Sequence, residues 1–177
     1  NQKEVTAFYD KQIDKKTATP VMVGLNGKLV KENGKLVEKT WKVGGMYSAA
    51  IEKIVYWLEK AVTVAENPAQ KESLEKLIQY YKTGDLKDFD AYCVAWVKDT
   101  ESQVDVVNGF IEVYQDPLGR KGSFESVVSV RDFEASKRIA AIGANAQWFE
   151  DNSPLLPQHK KKNVKGISAK VINAVVE

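Results

Sequence analysis

The stretch from Phe110 to Val130 constrains the fold of this chain more than any other feature of the sequence. Two runs rich in β-branched and aromatic residues flank the tetrapeptide Asp-Pro-Leu-Gly at 116–119. Proline presets the backbone at the first central position of a turn, and glycine suits its last position. The pattern therefore predicts a β-hairpin with a wide loop.

Side chains of a hairpin point alternately to its two faces. We therefore expect Phe110, Glu112 and Tyr114 to share one face, which Glu125 on the returning strand could join. Two carboxylates and a phenol offer the acceptors that an ammonium group requires. A one-residue slip in register would move Glu125 to the other face. The structural alternative is that the two glutamates form ion pairs at the rim of a sheet, with Arg120, Lys121 or Arg131.

Charge and hydropathy exclude several classes of partner. The chain of 177 residues has 26 basic and 24 acidic side chains and a net charge of +2, so no global field recruits nucleic acid or a membrane surface. Lys160 to Lys162 form an isolated basic run that is typical of a solvated loop. No apolar run approaches the roughly 20 residues that span a bilayer. We expect no nucleic acid and no membrane among the partners.

The sequence contains one histidine, His159, and one cysteine, Cys93. Zinc hydrolases generally use two or three imidazole ligands, so this chain alone predicts no zinc site. His159 lies in a lysine-rich stretch next to Pro157, which is a poor position for a general base. A self-sufficient hydrolase is therefore not expected. A single cysteine excludes an internal disulfide and fits a reducing compartment.

Apolar spacing and capping residues predict helices over much of the remaining chain, at residues 3–16, 46–66, 68–83, 86–98 and 132–150. Asn33-Gly34 between two Leu-Val pairs predicts a tight hairpin. Residues 99–109 are interpreted as a short turn of helix, and Ile167 to Val176 as a strand. The expected fold class is α+β and predominantly helical, a helix bundle with β-hairpins that form part of a larger β core.

The same spacing predicts which side chains face the core. For the second and fourth helices we expect the stripes Tyr47, Ala50, Ile54, Leu58, Ala61 and Ala65, and Leu86, Phe89, Cys93 and Trp96. For the third helix we expect Leu74, Leu77, Ile78 and Tyr81.

Several segments of the chain resemble the dipeptidyl peptidase III family of zinc metallopeptidases, most closely its bacterial members. Residues 110–125, Phe-Ile-Glu-Val-Tyr-Gln-Asp-Pro-Leu-Gly-Arg-Lys-Gly-Ser-Phe-Glu, are similar to the segment that precedes the zinc-binding helix of that family. Further matches cover nearly the whole chain, namely Gly24-Leu25-Asn26, Val43-Gly44-Gly45-Met46-Tyr47, Trp96-Val97-Lys98-Asp99 and Asn145-Ala146-Gln147-Trp148-Phe149-Glu150.

The resemblance implies a parent enzyme that removes dipeptides from the free amino end of short peptides. Its zinc would be held by a His-Glu-x-x-Gly-His helix and a further glutamate, and this chain contains neither. The resemblance therefore implies an internal fragment, not an enzyme by itself, with zinc as a cofactor of the full-length parent and none in this chain. Since the chain begins with Asn1 rather than Met, we also expect the true N-terminus to be missing.

The family resemblance also implies an organisation into lobes. Residues 1–131 would belong to the substrate-binding lobe, 132–150 would be a helix crossing toward the zinc lobe, 151–166 a connector, and 167–177 a truncated strand. The expected partners are a short peptide substrate and the missing catalytic half of the same protein. Self-association through surfaces that this half would cover stays open. The expected location is cytoplasmic.

By the matching positions, Glu112, Tyr114 and Glu125 resemble the residues with which the family binds the amino end of the substrate. The sequence departs from many members at residues 123–126, where Ser-Phe-Glu-Ser replaces Glu-Phe-Glu-Gly. We therefore expect a non-catalytic part of a zinc dipeptidyl peptidase that contributes amino-end binding. The alternative is a helical protein–protein interaction module without a peptidase role.

Overall fold

The computed structural model describes residues 1–165 and 170–176. Within these ranges it contains six α-helices, five strands and a 3-10 helix at Pro157–His159, so the predicted α+β class is confirmed. None of the helices in these ranges is long and apolar enough to cross a bilayer. The helices are α1 (Gln2–Asp10), α2 (Ser48–Val62), α3 (Pro68–Thr83), α4 (Leu86–Lys98), α5 (Phe133–Ala144) and α6 (Ala146–Asp151). The strands are β1 (Gly27–Glu32), β2 (Lys35–Thr40), β3 (Val104–Phe110), β4 (Phe124–Asp132) and β5 (Val171–Val176).

The chain forms two compact units. The first comprises residues 1–102 and 108–125, and the second comprises residues 103–107 and 126–177. The division into lobes at residues 131 and 150 stays a prediction.

The first unit contains a two-stranded antiparallel ribbon. β1 pairs with β2 along their whole length, and Glu32 lies opposite Lys35. The two residues between the strands, Asn33 and Gly34, have φ angles of 48° and 79°. Positive φ at both central residues defines a type I′ turn, whose twist matches that of the flanking strands. The hairpin predicted from Asn-Gly is therefore present.

The same unit contains three packed helices, with α2 against α3 and α3 against α4. Asn67 caps α3 because its side chain accepts the backbone N–H of Gln70 at 2.9 Å, and Pro68 occupies the first turn. Gly84 ends the helix in the left-handed region with φ 69°. The Asn67 amide also donates to Ser102 Oγ at 2.8 Å. One side chain therefore caps α3 and ties it to the segment after α4.

The core predicted for α3 is confirmed, since Leu74, Leu77, Ile78 and Tyr81 are all buried. The predictions for the two neighbouring helices need correction. α2 buries Ile51, Val55 and Leu58, whereas α4 buries Phe89, Tyr92 and Ala95.

The corrections have local causes. Tyr47 is 65% exposed because α2 begins only at Ser48, and the left-handed φ of 58° at Tyr47 breaks the helical period there. In α4 the buried stripe is shifted by one residue, so Cys93 and Trp96 are half-buried at its border.

Residues 104–110 form strand β3, so the helical turn expected at 99–109 is wrong. Valine at 104, 106 and 107 explains the difference, because β-branched side chains favour a pleated strand. The three-stranded sheet has the order β3-β4-β5. β5 lies antiparallel to β4, with Val130 opposite Asn173. The strand predicted from 167 is described from Val171, and residues 167–169 and 177 of that prediction lie outside the described residues.

In the second unit, the helix predicted at 132–150 is divided into α5 and α6. Asp132 caps α5 as expected, accepting the N–H of Ala135 at 2.8 Å. The division lies at Asn145, whose φ of −101° and ψ of 17° are not helical. Its side chain donates to the carbonyl of Ala141 at 2.8 Å, which satisfies a carbonyl at the end of α5. Trp148 on α6 is 60% exposed.

Candidate functional site

The end of the long hairpin contains an irregularity in pairing. The backbone N–H of Ile111 donates to Ser123 O at 2.9 Å, and the N–H of Ser123 donates to Glu112 O at 2.8 Å. Two residues on the first side of the hairpin, Ile111 and Glu112, therefore oppose one residue on the second side, Ser123. This is the pattern of a β-bulge.

The bulge changes the predicted faces. The rings of Phe110 and Phe124 lie in contact across the hairpin, with centroids 5.5 Å apart. Because neighbours on a strand alternate, Glu125 lies on the face opposite to Phe124. The expectation that Phe110 shares a face with Glu125 is therefore wrong. The extra residue shifts the alternation by one, and nothing in the apolar pattern indicates it.

The three predicted site residues lie in the first unit. Glu112 is exposed, Glu125 is half-buried, and Tyr114 is 74% exposed in the turn that follows the bulge. Among the described residues, no hydrogen bond or ion pair joins these side chains to one another or to another residue. The rim ion pairs of the structural alternative are therefore not formed. Arg120 pairs with Asp10 instead, at 3.6 Å.

Asp116 organises the hairpin loop. Its carboxylate Oδ2 accepts the backbone N–H groups of Arg120 at 3.0 Å and of Lys121 at 3.3 Å. Its carbonyl accepts the N–H of Gly119 at 2.9 Å, and Gly119 has the positive φ of 60° that glycine adopts without strain. The turn signals of the sequence thus produce a closed loop held around one carboxylate.

Gly122 and Arg120 join this loop to the body of the first unit. The N–H of Gly122 donates to Leu25 O at 2.8 Å. The guanidinium of Arg120 lies 5.0 Å from the centre of the Tyr9 ring, and the Tyr9 hydroxyl donates to Glu38 Oε1 at 3.1 Å. Burial, partly offset by this hydrogen bond, raises the pKa of the Glu38 carboxyl. The sequence carries no local signal for these contacts, because the two residues of each contact lie far apart along the chain.

An apolar cavity of about 580 Å³ opens in the same unit, between the hairpin and α2. Trp41 and Phe110 both line it, with ring centroids 4.5 Å apart. Sequence reasoning did not identify this cavity. Its lining comprises Trp41, Tyr47, Ala50, Ile51, Ile54, Phe110, Gln115, Asp116, Lys121, Gly122, Ser123 and Phe124.

The described residues do not fit a zinc site. No three His, Cys, Asp or Glu side chains in residues 1–165 and 170–176 lie close enough together to hold a metal ion. His159 is exposed in the 3-10 helix. Cys93 is half-buried, and burial raises the pKa of its thiol, which disfavours the thiolate that binds metals.

Comparison with known proteins gives a consistent result. The sequence profile described as Peptidase family M49 matches residues 3–165. Dipeptidyl peptidase 3 from Homo sapiens is 31% identical over 117 residues, which cover 66% of this chain and 16% of that protein. Nudix hydrolase 3 from Arabidopsis thaliana is 28% identical over 131 residues, covering 73% of this chain and 16% of that protein. The chain thus spans about a sixth of the length of these relatives.

The fold is also similar to a solved structure. DPP III from Caldithrix abyssi superimposes with a TM-score of 0.73 at 24% sequence identity. The match covers 86% of this chain and 29% of that one. At this identity the similarity establishes the fold alone.

Proposed function

Because the chain belongs to peptidase family M49, we propose that it is the part of a dipeptidyl peptidase III-like enzyme that binds the free amino end of a peptide substrate. Glu112, Glu125 and Tyr114 would form the binding site, which we call the amino-end clamp. The chain itself would be non-catalytic. The zinc and its ligands would belong to the rest of the protein, and that catalytic half would be the partner of this one.

The bulge is the observation that carries this proposal. Ser123 pairs with Glu112 through the hydrogen bond at 2.8 Å, and paired residues on neighbouring strands share a face. Ser123 and Glu125 are two positions apart, so they also share a face. This pairing supports a common side for Glu112 and Glu125. The face would be opposite to the aromatic pair Phe110 and Phe124.

The chemistry of the clamp follows from its free acceptors. A peptide ammonium has three N–H donors, and carboxylates accept them in charge-assisted hydrogen bonds. Glu112 and Glu125 have no side-chain partner among the described residues, so binding would break no existing ion pair. The exposed Tyr114 hydroxyl would supply a further acceptor. A fixed distance from this clamp to the scissile bond would select release of dipeptides.

The proposal includes a reducing, cytoplasmic location, which a chain with one free cysteine fits. In an isolated chain, the surfaces that contact the other half would be free. Self-association of the isolated chain through these surfaces is therefore to be measured.

The amino-end clamp is tested by binding of a tetrapeptide and its N-acetylated twin, measured by calorimetry on wild type, E112Q and E125Q. We expect wild type to bind the free peptide at least about tenfold more tightly, since charge-assisted hydrogen bonds to the ammonium are lost on acetylation. Each variant should reduce this preference. E75Q, at an exposed glutamate of α3, serves as the matched control and should retain it. Equal affinity of wild type for both peptides would refute the clamp.

The alternative function is a helical interaction module. Exposed aromatic side chains on α2 favour it, since Trp57 is 67% exposed and Tyr56 is 51% exposed. Such a module would bind a protein partner through α2 and show no preference between the two tetrapeptides. W57A should then abolish partner binding, whereas E112Q should not.

A further inference from the structure

We propose that the cavity between the hairpin and α2 is a second binding site, for a zwitterionic amino acid with an aromatic side chain. We call it the aromatic pocket. Its volume of about 580 Å³ lies within the range of roughly 300–1,000 Å³ that is usual for small-molecule sites.

The walls of the pocket suit a flat ring. Trp41 contacts Phe110 at 4.5 Å between ring centroids, and Phe110 contacts Phe124 at 5.5 Å. Tyr47 adds a fourth ring, 6.3 Å from that of Trp41. Aromatic rings attract one another at centroid separations of about 4.5–7 Å beyond the gain from burial. A ligand ring would extend this row of rings, with Ile51 and Ile54 of α2 completing the wall.

The left-handed conformation of Tyr47 contributes to the mouth of the pocket. A φ of 58° is uncommon for an aromatic residue. It leaves the ring 65% exposed while the residue still lines the cavity. Residues held in strained backbone conformations cluster at active sites and ligand clamps.

The two charged groups of the pocket, Asp116 and Lys121, come from the hairpin loop and have opposite signs. Asp116 has one carboxylate oxygen occupied by two backbone N–H groups, so its Oδ1 can accept an ammonium N–H. Lys121 and Gln115 are exposed and can donate to a carboxylate. A ligand with one ammonium and one carboxylate beside an apolar ring complements this arrangement. An apolar ligand would leave both charges unused, and a purely cationic one would face Lys121.

The aromatic pocket and the amino-end clamp use different side chains, although Ser123, whose backbone pairs with Glu112, also lines the pocket. Phe110 and Phe124 line the pocket, whereas alternation directs Glu125 to the other face of the hairpin. Glu112 and Glu125 are absent from its lining. Occupancy of the pocket therefore does not rest on the proposed peptidase role, and each site can be removed without the other.

The test measures calorimetric binding of L-phenylalanine and three analogues that each lack one group. We expect L-phenylalanine to bind. 2-Phenylethylamine lacks its carboxylate, 3-phenylpropionate lacks its ammonium, and L-alanine lacks its ring. Each of the three should bind at least about tenfold more weakly, a factor that corresponds to one good polar contact. This series needs no variant. Failure of L-phenylalanine to bind, or equal binding of all four compounds, would overturn the proposal.

Two variants then locate the site. Ala50 is exposed at the pocket, so A50F should fill it and abolish binding of L-phenylalanine, while a circular dichroism spectrum verifies the fold. K121Q changes an exposed loop residue and should weaken binding of L-phenylalanine but not of 2-phenylethylamine. E112Q should leave L-phenylalanine binding unchanged even where it removes the preference for free tetrapeptides. Binding that both A50F and K121Q leave unchanged would show that the pocket is not the site.

Discussion

Replacing Tyr81 by phenylalanine removes the hydroxyl that joins α3 to the strand leading into the hairpin. The Tyr81 hydroxyl donates to Asn108 Oδ1, and the two residues are 0% and 7% exposed. Burial raises the pKa of Tyr81, so the phenol is neutral and donates at pH 7. A buried acceptor that loses its donor costs about 1–3 kcal/mol. We expect Y81F to lower the free energy of unfolding by about 2 kcal/mol.

The neighbouring tyrosine provides the matched control. Tyr80 lies on the same helix and is 1% exposed, but its hydroxyl forms no hydrogen bond of standard geometry, and its interaction with the Asn26 side chain only partly offsets the effect of burial on its pKa. Burial also raises the pKa of Tyr80, so its phenol is neutral as well. Y80F removes a desolvated hydroxyl without breaking a hydrogen bond of standard geometry, and we expect a change between none and a gain of about 1 kcal/mol.

The assay is equilibrium urea denaturation at pH 7, followed by circular dichroism in the far ultraviolet. An unchanged m value would show that midpoint shifts report stability. In a thermal scan, Y81F should melt about 4–8 °C below wild type, whereas Y80F should not melt lower. If the two variants lose equal stability, the bond between Tyr81 and Asn108 is not what connects the helices to the hairpin.

Three further predictions concern single residues. Burial alone would raise the pKa of Asp99, but the hydrogen bonds that its carboxylate accepts, first from the Ser102 side chain, outweigh burial and lower that pKa. These hydrogen bonds stabilise the fold above the unfolded pKa of about 4. Their contribution to stability is lost as pH falls through the folded pKa. D99N should therefore flatten the decrease in stability between about pH 5 and about pH 2, from just above that unfolded pKa downward, in urea titrations. G122A places a Cβ 2.9 Å from the Phe110 carbonyl carbon, so it should cost about 1–3 kcal/mol and weaken binding of the free tetrapeptide. G84A, at φ +69°, should lower the melting temperature through a cost of about 1–2 kcal/mol.

Local signals in the sequence were sufficient where a structure depends on adjacent residues. Asn33-Gly34 specifies its turn because both residues accept positive φ, and Asn67 specifies the start of α3 because its side chain reaches the N–H of Gln70. The core of α3 followed from a regular apolar period. These features need no knowledge of the rest of the fold.

Features that depend on distant residues could not be predicted in this way. The bulge arises from pairing between Ile111 and Ser123 across the hairpin, and the apolar pattern is the same with or without it. The aromatic pocket requires Trp41 and Phe110 to meet across almost 70 positions of sequence. The predicted faces of the hairpin therefore have the correct period of two residues, but beyond Phe110 the prediction is displaced by one residue.

The bulge has a consequence for changes in chain length. Deleting Ile111 would leave Glu112 paired with Ser123 and therefore on the same side of the hairpin as before. A one-residue gap should thus be better tolerated at the bulge than in the regularly paired part of either strand, where it would invert the faces. Anyone grafting this hairpin onto another scaffold must keep Glu112 aligned with Ser123, because a slip of one position would move Glu112 away from the side of Glu125.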